Sequence, residues 1–159
     1  MKNTNLETIM RKTTPVDKYI SEISQSYKDK FLQKMQSYQM EEKPIKKLKE
    51  HAKDLIIIVF SAEWCKDCAE NIPILAMLAK EIKIEIRVFG GLKTNPLNQK
   101  EKWSIPPSPP EVKKFNVKKI PHIIISNKNG KELGTIIENP IPGNTLEKEI
   151  FNILQLSVE

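Results

Sequence analysis

The feature that most constrains this chain is the run Leu55-Ile56-Ile57-Ile58-Val59-Phe60, together with the cysteine pair just beyond it. An unbroken, mostly β-branched apolar run without alternation is the pattern of a central strand covered on both faces, as in parallel or mixed sheets. Ser61-Ala62-Glu63-Trp64 leads from it into Cys65-Lys66-Asp67-Cys68. From Ala69 to Ile82 the apolar residues Ile72, Leu75, Ala76, Leu78 and Ala79 then recur at helical spacing. A buried strand thus runs into a pair of cysteines, and a helix runs out of it.

That placement has chemical consequences. A helix N-terminus carries unpaired backbone N–H groups and a partial positive charge. A cysteine just before the helix has its thiolate stabilised there, and the thiolate is the nucleophile of disulfide exchange. Cys65 is expected to attack a substrate disulfide, and Cys68, one turn on, to resolve the mixed disulfide by attacking Cys65. Lys66 adds a positive charge that favours the thiolate and Asp67 opposes it, so the net shift has no sign at this level. Trp64 can cover the sulfurs and offer contact area to a protein substrate.

The rest of the chain builds an α/β layered domain around this unit. Residues 1 to 12 are polar and read as frayed or weakly helical. Thr14-Pro15-Val16-Asp17 reads as a helix start, with a hydroxyl cap and proline in the first turn. Val16, Tyr19, Ile20, Ile23, Tyr27, Phe31, Met35 and Tyr38 follow as one helical stripe. A second helix starts near Pro44, with Ile45, Leu48 and Ala52 on one side. Lys83 to Phe89 alternates as a strand. The proline cluster from Ile105 to Pro110 excludes regular structure, and Glu111 to Phe115 makes one or two helical turns. Ile123-Ile124-Ile125 and Glu132 to Glu138 flank the turn Asn127-Lys128-Asn129-Gly130 as a hairpin. A last helix opens at Asn144-Thr145 with Glu147. Residues 1–43 are read as an N-terminal helical extension and residues 44–159 as the domain.

Composition narrows the function classes. With 159 residues the chain is long enough for a proper core, and its 39% hydrophobic and 29% charged residues are those of a globular protein. The net charge of +6 is spread along the chain, as in Lys46-Lys47-Leu48-Lys49, Lys113-Lys114 and Lys118-Lys119, without aromatic interleaving. It reads as a solvated surface, so neither nucleic acid nor membrane is expected as a partner. No apolar stretch approaches the roughly 18 residues of a spanning helix, and Met1-Lys2-Asn3 leads into no signal-peptide core. The cytoplasm is the expected compartment, where thiols are kept reduced and a close cysteine pair serves redox chemistry or metal binding. A zinc site would need Cys65, Cys68, His122 and His51 together, because the chain has 2 cysteines and 2 histidines in all. His51 ends a helix before the strand and Cys65 follows that strand, which argues against it, so no metal is expected.

The segment Phe60-Ser61-Ala62-Glu63-Trp64-Cys65-Lys66-Asp67-Cys68 resembles the active-site segment of the thioredoxin family. Pro73 sits where that family carries its helix-kinking proline, and Val117-Lys118-Lys119-Ile120-Pro121-His122 resembles the segment of its cis-proline. The resemblance covers about residues 50 to 155. It implies a thioredoxin-like fold, a central mixed β-sheet flanked by helices. It also implies a disulfide reductase with no cofactor beyond the redox-active Cys65–Cys68 disulfide. Protein disulfides are the implied substrates, and a dithiol donor such as a thioredoxin reductase the implied electron source. Ile120, before a cis Pro121, would pair with substrate like a short strand. His122 reads as a strand-start histidine with no catalytic duty or, as the alternative, a nearby charge that tunes the thiolate.

The chain departs from the family in several places. Val59 stands where the family has a buried aspartate serving Cys68, which leaves Glu63, Glu85 and Asp67 as candidate acceptors. Lys66-Asp67 replaces Gly-Pro. No glycine matches the substrate groove near Ile137-Glu138-Asn139, and the loop between Phe89 and Glu111 is long. A non-catalytic adaptor of the same fold is the alternative from another function class.

Overall fold

The computed structural model describes residues 4–94, 96–97, 102–103 and 108–158. In chain order its elements are α1 (Leu6–Lys12), β1 (Thr14–Pro15), α2 (Val16–Glu22), α3 (Gln25–Ser37), α4 (Glu42–Lys49), a 3-10 turn (Ala52–Asp54) and β2 (Leu55–Phe60). Beyond β2 come α5 (Lys66–Ile82), β3 (Glu85–Phe89), α6 (Glu111–Lys114), β4 (His122–Asn127), β5 (Glu132–Ile137) and α7 (Leu146–Val158). The strands form a mixed sheet in the order β1-β3-β2-β4-β5. β3 runs parallel to β2, while β1, β4 and β5 each run antiparallel to the neighbour they join.

β2 is central, as its composition requires. All six of its residues are buried, with Ile57, Ile58, Val59 and Phe60 at 0% exposure. Its end carries an aromatic cluster: Phe60 stacks on Phe89 at 4.8 Å, meets Phe115 at 5.8 Å and receives His122 edge-on at 6.0 Å. Phe89 and His122 are Phe60's register partners on the flanking strands, so the cluster follows from strand pairing. α5 packs against α2, α3, α4 and α7 and is the hub of the helical layer. Gly134 lets α7 approach β5, because a Cβ there would come within 2.6 Å of Ile153.

The first forty residues differ from their sequence reading. Of the two readings of the lead the helical one holds: α1 buries Ile9. Arg87 Nη2 donates to the carbonyls of Met10 and Thr13, at 3.0 and 2.7 Å, and Lys12 pairs with Glu111 at 2.7 Å. The helix starts one residue later than read: Pro15 is the N-cap of α2 with no side-chain cap, and Thr14-Pro15 also forms the edge strand β1, where proline lacks the N–H that would leave an edge open to pairing. The predicted single helix is two, broken at Ile23–Ser24, where both residues are extended. Ser24 bonds Glu63 through its N–H (3.1 Å) and hydroxyl (2.9 Å), which holds the break. Ile23 still contributes to the stripe, and it shares one hydrophobic core with residues on both sides of position 43.

The hairpin stands as read, with Gly130 at φ 88° in its turn and the Thr4 N–H donating to its carbonyl at 2.7 Å. Thr145 caps α7 by accepting from the Lys148 N–H at 3.1 Å. Glu147 is fully buried and instead accepts from the Tyr38 hydroxyl and the Glu41 N–H, at 2.8 and 2.7 Å, tying α7 to the link between α3 and α4. In the proline cluster, Ile105, Pro106 and Pro107 lie outside the described residues, while Glu111–Lys114 is helical as expected. No helix among the described residues is long and apolar enough to cross a membrane.

Candidate active site

The site lies where β2 ends and α5 begins. The Ser61 N–H donates to the Phe89 carbonyl at 2.9 Å, holding the connecting loop to the sheet, and the Cys65 N–H donates to Ala62 at 3.2 Å. Cys65 is the N-cap of α5, in extended conformation, and its Sγ accepts from the Cys68 N–H at 3.2 Å. Its thiol also donates to the Ile120 carbonyl at 3.6 Å, which links the helix start to the segment before β4. Cys65 is 8% exposed and Cys68 0%, and both are thiols in this structure.

The two sulfurs are electrostatically unequal. Hydrogen bonding from the Cys68 thiol, then from the Cys68 N–H, holds Cys65 below the ordinary thiol range; burial and the Asp67 carboxylate oppose this, and the Asp67 N–H adds to it. The sign left open by Lys66 and Asp67 is thus settled by hydrogen bonds. Burial pushes Cys68 strongly up, and its interaction with Cys65 pushes it further. The favoured thiolate is Cys65.

Trp64 is 47% exposed and stacks on Trp103, with ring centroids 6.2 Å apart and an interplanar angle of 28°. Trp103 is buried and donates its indole N–H to the Lys118 carbonyl at 3.2 Å. Lys66 is exposed; with Trp64, Cys65, Tyr27, Lys30 and Lys34 it lines a groove of about 650 Å³ between α3 and the start of α5. The Ile120–Pro121 peptide bond is cis. The Pro121 carbonyl accepts from the Glu138 N–H at 2.8 Å.

Glu138 has φ 66°, a left-handed conformation that glycine adopts without strain, at the place where the sequence offered no glycine. Asn71 holds it there. Its Nδ2 lies 2.9 Å from each of three acceptors: the carbonyls of Asp67 and Glu138 and the Oδ1 of Asn139. Asn71 is 3% exposed and connects the first turns of α5 to the loop beside Pro121. Sequence reading passed over Asn71 and Trp103. A polar residue on the buried face of a helix was the available signal for the first, and a tryptophan in a proline-rich loop for the second.

Two candidate roles, for His122 and Glu85, need correction. His122 is buried, its Nδ1 has no hydrogen-bond partner among the described residues, and burial lowers its pKa from 6.5 to about 4. It is neutral near pH 7 and supplies no positive charge to a thiolate. Glu85 pairs with Ile56, at the end of β2 remote from the cysteines, and so cannot serve Cys68. The alternative zinc site fails for the same reason of topology. His51 lies before β2 and Cys65 after it, and six strand residues span about 20 Å. Among the described residues no three metal-ligating side chains cluster.

No curated protein matches the chain in sequence. Its fold is similar to the crystal structure of a protein of unknown function, PA1234 from Pseudomonas aeruginosa. The TM-score is 0.70 at 14% identity, over 96% of each chain. An HIV epitope scaffold superposes with a TM-score of 0.68 at 13% identity, over 96% of this chain and 97% of that one. A thioredoxin from Aeropyrum pernix aligns over 70% of this chain and 82% of its own at 15% identity, with a TM-score of 0.43. The sequence model of the thioredoxin family matches residues 13–150, from the edge strand β1 into α7, and the chain belongs to that family.

Proposed function

We propose that the protein is a thiol:disulfide oxidoreductase that reduces protein disulfides, with Cys65 attacking and Cys68 resolving. The observation that carries this reading is the setting of Cys65: an N-cap sulfur that accepts a backbone N–H at 3.2 Å and lies 3.6 Å from the Ile120 carbonyl. The backbone N–H favours the thiolate of this sulfur, the Ile120 carbonyl sets it beside the segment before β4, and Cys68 lies one helical turn away, ready to displace the substrate. Membership of the thioredoxin family supports the same chemistry.

An extended substrate strand would pair with the backbone of Ile120 beside Pro121, and the exposed face of Trp64 would give it apolar contact. The electrons would come from a dithiol donor of the thioredoxin reductase kind, and the reducing cytoplasm is the compartment in which such a couple acts as a reductant. The test is reduction of a protein disulfide such as insulin's in the presence of a small dithiol. The wild-type protein should accelerate it and Cys65→Ser should abolish the acceleration. Undiminished activity in Cys65→Ser would overturn the assignment, and an inactive wild-type protein would favour the non-catalytic adaptor.

A further inference from the structure

Resolution demands something the site makes difficult: a thiolate on Cys68, which is fully buried. Among the described residues no carboxylate is seen hydrogen-bonded to the Cys68 thiol. Glu63 caps the start of α3 through Ser24, and Asp67 stands in the first turn of α5. Two hydroxyls occupy the space instead. Ser61, at 0% exposure, comes directly after β2, and its hydroxyl lies 3.0 Å from that of Tyr19, which is itself 8% exposed. The Ser61 side chain acts on the Cys68 thiol in the sense that favours its thiolate, against the burial that opposes it. Tyr19 comes from α2, far back in the chain, and its ring has a built seat. It meets Phe31 edge-on at 6.5 Å, and a Cβ on Gly90 would come within 2.7 Å of it.

We propose that Ser61 and Tyr19 form a buried hydroxyl relay that stabilises the Cys68 thiolate during the resolving step, with Ser61 as catalytic residue and Tyr19 as the residue that positions it. This rests on the oxidoreductase reading of the cysteine pair. The Tyr19 O–H donates to Ser61 Oγ, and the Ser61 O–H donates to Cys68 Sγ. Burial and the neighbouring sulfurs keep the Tyr19 phenol protonated and therefore a donor throughout.

In the mixed disulfide, Cys65 is bonded to the substrate sulfur. Cys68 gives its proton to water, and its electron pair forms the Cys65–Cys68 bond as the bond from Cys65 to the substrate breaks. The substrate leaves as a thiolate and takes a proton from water. The two protein sulfurs are oxidised to one disulfide, and the substrate disulfide is reduced to two thiols.

A chromogenic nitrobenzoate disulfide separates the steps, because attack by Cys65 releases one coloured thiolate and resolution by Cys68 releases a second. Ser61→Ala should slow the second phase about tenfold or more, the effect of losing a hydrogen bond to a charged group. Tyr19→Phe, which keeps the ring in its seat, should slow it about threefold or more, and the double variant should be no slower than Ser61→Ala, since Tyr19 acts through Ser61. The first phase should stay within about twofold of wild type in each case. Wild-type second phases in both single variants, or equal slowing of both phases, would overturn the relay. A wild-type protein that never releases the second thiolate would overturn the oxidoreductase reading itself.

Discussion

His122 makes the stability of this protein depend on pH in a way that one substitution should remove. Its imidazole titrates at an ordinary value of 6.5 in the unfolded chain and at about 4 in the folded one, because burial disfavours the cation. Below pH 6.5 the unfolded chain binds a proton that the folded chain refuses. The stabilisation is therefore complete above pH 6.5, declines as the pH falls, and is exhausted near pH 4.

At about 1.4 kcal/mol per unit, that window is worth about 3 kcal/mol, and about 2 kcal/mol of it is gone by pH 5. With a urea dependence of about 2 kcal/mol per molar, the wild-type unfolding midpoint should fall by about 1 M between pH 7 and pH 5 from this group alone. His122→Phe keeps a flat ring edge-on to Phe60 and gives up no bond at Nδ1, which has none. The variant's midpoint should move over the same interval by about 1 M less than that of wild type. Parallel movement of the two midpoints would refute the argument, since His122 would then accept its proton as readily folded as unfolded.

The site itself yields two further expected outcomes. Cys68→Ser should accumulate a mixed disulfide between Cys65 and a protein substrate, detected by non-reducing mass spectrometry, whereas Cys65→Ser should accumulate far less; equal trapping would erase the division of roles. Asn71→Ala removes the side-chain amide that lies 2.9 Å from the Asp67 and Glu138 carbonyls, and should cost about 2 kcal/mol, or about 1 M in urea midpoint. A shift below about 0.25 M would show that water replaces those bonds.

What was legible in the sequence and what was not divide along the range of the interactions. β2 could be read because burial on both faces selects apolar β-branched residues within one short stretch, and the hairpin because Asn127 to Gly130 carries its turn chemistry locally. The cysteine pair was legible for the same reason, since strand, motif and helix are contiguous. The break at Ile23–Ser24 was not, because the apolar stripe continues across it and what fixes it is Glu63, a partner remote in sequence. A two-residue strand such as β1 has no period to detect. His122 carried a misleading signal: its position beside Pro121 suggested a charge, but whether a histidine is charged depends on burial, which the strand's neighbours decide.

The same division runs through the candidate site. What favours the Cys65 thiolate is nearly all local: the start of a helix, and the N–H and thiol of Cys68 three residues on. A cysteine set between a buried strand and a helix start has these groups beside it by local structure alone, which is why Cys65 could be proposed from spacing as the attacking sulfur. What surrounds Cys68 is tertiary. In the proposed relay Ser61 serves it from the end of β2, and Tyr19 reaches Ser61 across 42 residues of sequence, from the segment that reads as an extension. That segment also supplies the α3 wall of the groove beside Trp64 and Cys65. On the proposed function, attack would be carried by the motif alone, whereas resolution would depend on how residues before position 43 pack against it. Substitutions in α2 and α3 that leave Cys65 reactive should for that reason act on the second step and on substrate choice.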